Sequence, residues 1–436
     1  MTVAPSIGRW ALAFALLTSP VLGAPETWSW HGQATFVDQY HPGFKSATRG
    51  ANSLDPGSRG NETIDATLFA GLRLWDGGEV YVNPEIDQGF GLSNTLGAAG
   101  YPSGEAYKVG KAAPYLRLQC VFFRQTFDVG GEAEVVEADA NQLGTDRAAD
   151  NLVITAGKIS VTDIFDTNAY AHDPKNDFLN WSLIDSGAFD YAADAWGYSY
   201  GIAGEWTQSW WTLRLGLFDL SRVPNTTALV RGFGQYEAVA EAEERHSWWG
   251  LPGKMKVLGY VNRGRMGSYN DAVNLALATR TMPDMAVVRT PASRPGMALN
   301  LEQQISDGLG IFLRASLNDG SKEAYEFTEI NRSLALGLSW QGTAWGRPHD
   351  TIGVATVANV LSVPARRYFA AGGLGILIGD GQLAHYGTEH IAEAYYRAQL
   401  LDWLAASADY QLLVHPAYNR DRGPVSLFAL RLHTQF

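Results

Sequence analysis

Cysteine is almost absent from this chain of 436 residues, since Cys120 is its only thiol. A single cysteine excludes an intrachain disulfide framework and any metal site built from several cysteines. No His-Glu-x-x-His string occurs either, so we expect neither a metal site nor a cofactor. Cys120 itself is interpreted as a small apolar residue on a strand.

An excess of basic residues is also lacking. Lys and Arg number 33 against 45 Asp and Glu, and the formal net charge is -12. Nucleic-acid-binding proteins carry basic patches that neutralise phosphate, so this balance argues against a nucleic-acid partner. The length suits either two or three soluble domains or one large barrel.

Long apolar runs are missing after the N-terminus. Arg9 precedes an apolar stretch at residues 10–22, which Gly23 and Ala24 follow. A basic start, about a dozen apolar residues and small residues at the end are typical of a secretory signal. We predict a signal peptide at 1–23 and one domain at 24–436 without a transmembrane helix, because no later run is long enough to span a bilayer as one.

What the chain does contain is alternation, most clearly at residues 425–436. One face carries Phe428, Leu430, Leu432, Thr434 and Phe436. The other face carries Leu427, Ala429, Arg431, His433 and Gln435. A period of two is the pleat of a β-strand. A strand that is apolar on one side, carries Arg and His on the other and ends on Phe suits a closed β-barrel in lipid. Because an open sheet edge cannot lie in hydrocarbon, this last strand must pair with the first strand of the chain.

The same alternation recurs from Thr27 onward in about sixteen runs. They begin near Thr27, Thr63, Glu79, Leu116, Leu152, Gly197, Trp210, Gly232, Lys254, Met297, Leu309, Arg332, Thr351, Glu389, Asp402 and Val425. No helical period competes over the clearest of them. We therefore predict an all-β fold, a transmembrane antiparallel β-barrel of about sixteen strands, with fourteen or eighteen left open.

The connections between these runs alternate in length. Tight hairpins are predicted at 75–78, 208–209, 306–308 and 401–402, and long links at 41–61, 89–114, 161–195, 264–295 and 362–388. An outer-membrane barrel has short periplasmic turns and long external loops. The segment 130–150 departs from this pattern, because it is a long link on the side predicted to be periplasmic.

A soluble β-rich protein, such as a periplasmic lectin, is the alternative. Against it, charged residues recur opposite the apolar faces along the whole chain, which favours a water-filled lumen. The link at 161–195 is rich in Asp and aromatic residues, a combination that sugar binding uses, and we predict that it folds into the lumen. The other interpretation, that its aromatic residues only hold a loop against the barrel wall, stays open.

A hydrolase is the alternative of another class. The string Gly197-Tyr-Ser-Tyr-Gly201 matches a nucleophile elbow, but it lies inside an alternating strand and no helix pattern follows it. We predict no catalytic residues and no enzymatic activity.

Several strings resemble one known family, and their order extends over nearly the whole mature chain. They are Pro84-Glu-Ile-Asp-Gln88 with Gly89-Phe-Gly-Leu-Ser-Asn94, Gly104-Glu-Ala-Tyr-Lys108, Leu116-Arg-Leu-Gln119, Phe122-Phe-Arg-Gln125, Asp163-Ile-Phe-Asp166, Asn180-Trp181, Asp194-Ala-Trp-Gly-Tyr198, and Pro416-Ala-Tyr-Asn-Arg-Asp-Arg-Gly-Pro424. The chain resembles the carbohydrate-selective porins of the OprB type. The resemblance implies a sixteen-stranded outer-membrane barrel, a pore narrowed by an inward loop, and passive diffusion of small sugars such as glucose.

The predicted sugar-contacting residues combine polar strand faces with the inward loop. They are Glu85, Asp87, Arg117, Lys158, Asp163, Trp181, Arg314, Glu393 and Arg397. A general or anion-preferring porin of the same fold is the closest alternative. The expected partners are small neutral saccharides, outer-membrane lipid and the barrel-assembly machinery, and the sequence does not decide between a monomer and a homotrimer.

Overall fold

A computed structural model describes residues 25–436, and the predicted signal peptide lies outside the described residues. Sixteen strands form one closed antiparallel barrel in which each strand pairs with its neighbours in sequence and β1 pairs with β16. The strands are β1 Trp28–His41, β2 Arg59–Trp75, β3 Gly78–Gly89, β4 Tyr115–Val136, β5 Thr145–Ile159, β6 Ser199–Gln208, β7 Trp211–Asp219, β8 Tyr236–Trp248, β9 Leu251–Met266, β10 Thr290–Ser306, β11 Leu309–Asn318, β12 Arg332–Gly342, β13 Arg347–Val360, β14 Glu389–Leu401, β15 Leu404–Val414 and β16 Val425–Gln435. The predicted fold class is confirmed.

In the part of the chain that the structure describes, three α-helices lie in the connections, besides four short 3₁₀ turns. They are α1 Trp181–Ile184, α2 Tyr269–Thr279 and α3 Val363–Ala370. Among residues 25–436, no helix is both long enough and apolar enough to cross a membrane.

The barrel closes between β1 and β16, as predicted from the alternating pattern of the last strand. Phe36 of β1 is opposite Leu432 of β16, and the Phe436 N–H donates to the Gly32 carbonyl at 2.9 Å. A Cβ built on Gly32 would lie 2.5 Å from the Phe436 ring, so glycine leaves the space that the terminal aromatic residue occupies. The terminal phenylalanine therefore packs across the seam of the barrel.

Two ends of the barrel differ in their connections, and we name them by this difference. At the turn end, β2–β3, β6–β7, β8–β9, β10–β11 and β14–β15 are each joined by two residues. At the loop end, the links include 90–114, 160–198, 267–289 and 361–388. The outer face of the turn end carries exposed tryptophans: Trp28, Trp75, Trp206, Trp210, Trp248, Trp249, Trp340 and Trp403.

Outward and inward faces follow the alternation in the sequence. Outward Leu430 of β16 is 62% exposed, whereas inward Arg431 is 1% exposed. Leu334 and Leu336 of β12 are likewise exposed, and Ala335 between them is buried. An apolar outer wall around a polar interior is the inverse of a soluble barrel and is what lipid requires.

The largest differences between predicted and observed strand starts, about seven residues each, are at two places. β5 begins at Thr145 instead of Leu152, and β10 begins at Thr290 instead of Met297, so the link predicted at 264–295 covers only 267–289. The segment 130–150 is mostly strand, because β4 and β5 extend past the barrel as a hairpin. Its tip folds back beneath the lumen, where the Leu143 N–H donates to the Tyr81 hydroxyl at 3.1 Å.

Candidate functional site

The connection between β5 and β6, residues 160–198, lies inside the barrel. Its middle is attached to β14, because the Glu393 carboxylate accepts the N–H groups of Leu179 at 2.5 Å and Asn180 at 2.9 Å. The Asn180 side chain also donates to Gln411 Oε1 on β15 at 3.1 Å. A loop inside a lumen must find partners for its backbone polar groups, and this wall provides them.

Two arginines hold the same loop by its carbonyl groups. Arg314 on β11 donates to the carbonyls of Ala171 at 2.7 Å and Leu183 at 2.8 Å. Arg431 on β16 donates to the carbonyl of Asp177 at 2.9 Å. Both arginines are 1% exposed, so their guanidinium groups serve the loop and not a solute.

A second connection, residues 90–114 between β3 and β4, also enters the lumen. The Glu389 carboxylate accepts the N–H groups of Ala99 at 3.0 Å and Gly100 at 2.7 Å. The two loops meet where the rings of Tyr101 and Trp181 stack with centroids 5.3 Å apart and an interplanar angle of 17°. Together they fill the side of the barrel formed by β8–β16.

What remains is an opening of about 330 Å³ between these loops and the wall of β2–β5. Its lining is aromatic and polar, and includes Phe69, Asn83, Tyr101, Tyr107, Gln119, Asp163, Lys175, Trp181, Tyr191, Trp196 and Tyr198. Flat rings beside hydrogen-bonding groups can cover the apolar face of a pyranose and bind its hydroxyls at the edge.

Charges on the open wall are paired with one another. Arg117 on β4 donates Nε to the Asp87 carboxylate at 2.5 Å and Nη2 to Glu85, both on β3. The same guanidinium lies over the rings of Tyr107 and Tyr198, each 5.1 Å from the centroid. These two tyrosines stand between the ion cluster and the opening.

A second ion cluster connects both loops to the same wall. Lys175 of the 160–198 loop donates to Asp65 on β2 at 2.9 Å and to Glu105 of the 90–114 loop at 2.5 Å. Lys158 at the end of β5 lies 3.4 Å from the Asp194 carboxylate. The charges of these two clusters are of both signs and neutralise each other locally at the border of the opening.

Burial inside the barrel alters the titration of loop groups near the opening. Asp163 projects into the opening, and its enclosure by the barrel raises its pKa to about 6. Burial, followed by the nearby Asp166 charge, raises the pKa of Asp185 to about 7. Burial and then the Arg314 charge lower the pKa of His172 to about 4, so this imidazole is neutral at neutral pH.

The nine sugar-contacting residues predicted from the sequence fall into three groups. Asp163 and Trp181 line the opening directly. Behind the aromatic lining lie Glu85, Asp87, Arg117 and Lys158. Away from the opening lie Arg314, Glu393 and Arg397, and the last of these donates to the loop residue Asn176 at 3.0 Å. The structure thus brings together six of the nine and places three under or behind the loop.

Sequence reasoning missed part of the lining. Tyr107, Trp196 and Tyr198 were not among the predicted site residues, and neither was Lys175. The first three stand inside strings that carry the family resemblance, so those strings were a usable signal. For Lys175 no signal was available, because nothing in the sequence indicates that it meets Asp65.

Comparison with known proteins identifies the family. The protein-family model described as "Carbohydrate-selective porin, OprB family" matches residues 51–436 of the sequence. No curated protein matches the chain at a significant level.

A solved structure of the same family shows the same fold. The high-pH structure of Pseudomonas putida OprB is 15% identical, covers 94% of each chain and has a TM-score of 0.68. The outer membrane channel DcaP of Acinetobacter baumannii is 10% identical, with 94% of this chain and 97% of that chain covered and a TM-score of 0.49. The likeness to the Pseudomonas putida structure, at 15% identity, supports the barrel fold, while the family model covers most of the sequence. The chain belongs to the OprB family of carbohydrate-selective porins.

Proposed function

We propose that this porin lets small neutral sugars such as glucose diffuse passively through the opening beside β2–β5. The observation that carries the proposal is the composition of that opening. Aromatic rings line it, and the ions behind them are paired, as in the cluster of Arg117 with Glu85 and Asp87. A neutral solute meets hydrogen-bonding groups there, and the paired ions behind them do not favour charged solutes of either sign over it.

The expected binding is weak, which suits transit. A hydrogen bond contributes about 0.5–1.5 kcal/mol net, and one aromatic stack contributes a similar amount. Two bonds and one stack give about 4 kcal/mol at most, which corresponds to millimolar affinity. A diffusion channel needs binding that recruits the solute and still releases it.

The protein's placement is part of the proposal. The apolar outer wall and the exposed tryptophans at the turn end support insertion in the outer membrane, with the turn end in the periplasm. Residues 1–23 would export the chain, and β16 with its terminal Phe436 would be read by the barrel-assembly machinery. Deleting Phe436 should then reduce folded, heat-modifiable protein without reducing secretion.

Single-channel recording in planar bilayers tests the function. We expect a steady ion conductance that falls in a concentration-dependent way when millimolar glucose is added, with weaker effects of sucrose and maltose because they are larger than the opening readily admits. A conductance that glucose does not alter, combined with a clear preference for chloride over potassium, would favour an anion-preferring porin instead.

A further inference from the structure

Three arginines lie together on the outside of the barrel at the loop end. Arg263 and Arg265 occupy successive outward positions on β9, and Arg222 belongs to the link between β7 and β8. They border a shallow cavity of about 350 Å³ together with Val230, Gly234, Gln235, Gly264 and Pro291. Among the described residues lining this cavity there is no aspartate or glutamate. The cavity is therefore strongly positive.

The three guanidinium groups have capacity left for a ligand. Arg263 donates to Ser293 Oγ at 3.0 Å, and Arg265 donates to the Arg289 carbonyl at 3.2 Å. Within residues 25–436, none of the three lies within 4.0 Å of a carboxylate. Their neighbour Arg289 differs, since Glu323 accepts two of its hydrogen bonds at 2.8 and 2.9 Å.

A buried amide holds the arginine-bearing segments together. Gln235, which is 8% exposed, donates Nε2 to the Arg222 carbonyl at 3.1 Å. Its Oε1 accepts the Arg265 N–H at 2.7 Å. The backbone of the link is thus tied to β9, and the charged groups are brought together before any ligand arrives.

The height of the arginines on the wall matches a lipid headgroup. Arg263 lies twelve residues beyond Leu251, which follows the Trp248–Trp249 corner at the turn end. At about 3.3 Å per residue and a tilt of about 40°, this is roughly 30 Å along the barrel axis. Outward Met255 and Val257 lie between the two levels and are exposed. The arginines therefore lie at the outer boundary of a hydrocarbon layer about 30 Å thick.

Below the arginines the outer wall carries unusually small side chains. Outward Ala240 on β8 is paired with Gly259 on β9, and outward Ala238 is paired with Val261, which lies between Gly259 and Arg263. A Cβ built on Gly259 would meet nothing within 4 Å. The small side chains at Ala238, Ala240 and Gly259 leave a shallow apolar groove below the positive cavity, bordered by Val261.

We propose that this cavity binds the phosphate-bearing headgroup of an outer-leaflet lipid, with an acyl chain along the groove at Ala238, Ala240 and Gly259. Guanidinium groups form paired, charge-assisted hydrogen bonds with phosphate oxygens, and three of them together suit a multiply charged headgroup. A free phosphate would satisfy the arginines but leave the groove empty. The inference rests on the proposed outer-membrane placement, and it does not depend on which solute crosses the pore.

Native mass spectrometry of the folded barrel in mild detergent tests the site. The probes are diphosphoryl lipid A, fully dephosphorylated lipid A and inorganic phosphate. We expect a one-to-one adduct with the diphosphoryl lipid and at least about tenfold weaker binding of the dephosphorylated lipid. Equal binding of the two lipids would overturn the proposal, and so would inorganic phosphate that competes with the lipid at equal concentration.

Substitution locates the adduct. R222Q/R263Q/R265Q should weaken diphosphoryl lipid binding by at least about tenfold. The matched control R280Q/R332Q/R367Q removes three other exposed arginines of the loop end and should leave binding unchanged. Undiminished binding by the first variant, or equal loss in both, would overturn the assignment. Heat-modifiable migration on a gel reports whether each variant is folded. The comparison of the two lipids uses only the wild-type protein, so it tests the proposal even where a variant does not fold. Glucose-dependent conductance is measured separately, so failure of the pore function and failure of the lipid site are distinguishable.

Discussion

The two sides of the lumen wall carry the same kinds of inward-facing residues and use them differently. On β8–β16, Arg314 and Glu393 bind the backbone of an inward loop and are covered by it. On β2–β5, Glu85, Asp87 and Arg117 bind one another and stand behind an aromatic lining. One side is an attachment surface and the other is the wall of the opening.

The difference follows from what a loop in a lumen requires. Its N–H and C=O groups leave water and need partners, so the side that accepts it must provide donors and acceptors in fixed positions. The side without an attached loop should instead carry few unpaired charges, because an unpaired charge there would set the selectivity for ions. Pairing the charges of this wall locally leaves hydrogen bonding, stacking and the Asp163 carboxyl group of the inward loop as the features that a solute meets.

Shortening the loop between Asp166 and Gly187 should have the largest effect. A barrel of sixteen strands leaves an aqueous channel that side chains alone do not close. We expect ion conductance to rise several-fold and sugar-dependent current block to disappear. Removal of residues 273–280, which belong to a different link, is the control and should change neither property. If the shortened loop leaves both conductance and block as they were, the constriction lies elsewhere.

Removing the contact between Glu393 and the inward loop should raise ion conductance less than shortening the loop does. Glu393→Ala leaves the N–H groups of Leu179 and Asn180 without their acceptor, at a cost of about 1–3 kcal/mol for each buried group. The loop should then leave its position part of the time, and single-channel traces should show flickering to a higher conductance. Glu393→Gln keeps one carbonyl oxygen as an acceptor, so channels of this variant should flicker less often than those of the alanine variant. A steady wild-type level in the alanine variant would mean that other contacts suffice.

Much of the barrel could be predicted from the sequence because lipid imposes a strict alternation. The pairing of β16 with β1 and the alternation of short and long links follow from that constraint and are confirmed. The starts of β5 and β10 were predicted too late because glycine and proline residues near each of them are typical of turns and links. Gly130 and Gly131 indicate a turn, yet β4 continues through them by shifts in register. Pro291 and Pro295 argue against a strand, since proline lacks an N–H for the ladder.

The site was harder to predict, because alternation shows which way a side chain faces and not what covers it. Arg117 and Arg314 are equally inward-facing, and only the path of the loop makes one a neighbour of the opening and the other an attachment point. The entry of residues 90–114 into the lumen has no local signature either, since it depends on Glu389 far along the chain.

Removing a charge from the open wall should alter selectivity more than conductance. Arg117→Ala leaves Glu85 and Asp87 without their cation, so the opening becomes negative. The reversal potential under a potassium chloride gradient should move toward the potassium equilibrium potential, and glucose block should weaken as Tyr107 loses its support. Arg117→Lys keeps the charge and should retain most of the wild-type selectivity. An unchanged reversal potential in the alanine variant would show that this cluster does not act on the opening.

The smallest effect should be a dependence of selectivity on pH. The pKa of Asp163 is raised to about 6, so this carboxyl group is charged at pH 8 and largely neutral at pH 5. The opening therefore loses negative charge as the pH falls, and its preference for cations should decrease over that range. Reversal potentials recorded at pH 8, 6.5 and 5 measure the change.

Two substitutions separate an exposed carboxyl group of the opening from a buried one at its border. Both Asp163 and Asp185 line the opening, but Asp163 projects into it with an exposed side chain, whereas Asp185 is 4% exposed and accepts a hydrogen bond from the Tyr191 hydroxyl at 3.2 Å. Asp163→Asn should flatten the pH dependence, because it removes the charge that passing ions meet. Asp185→Asn should alter it less, although the pKa of Asp185 is also raised, to about 7. If the second variant has the larger effect, a buried carboxyl group sets the field in the pore, and exposure to the opening does not decide which groups act on passing ions.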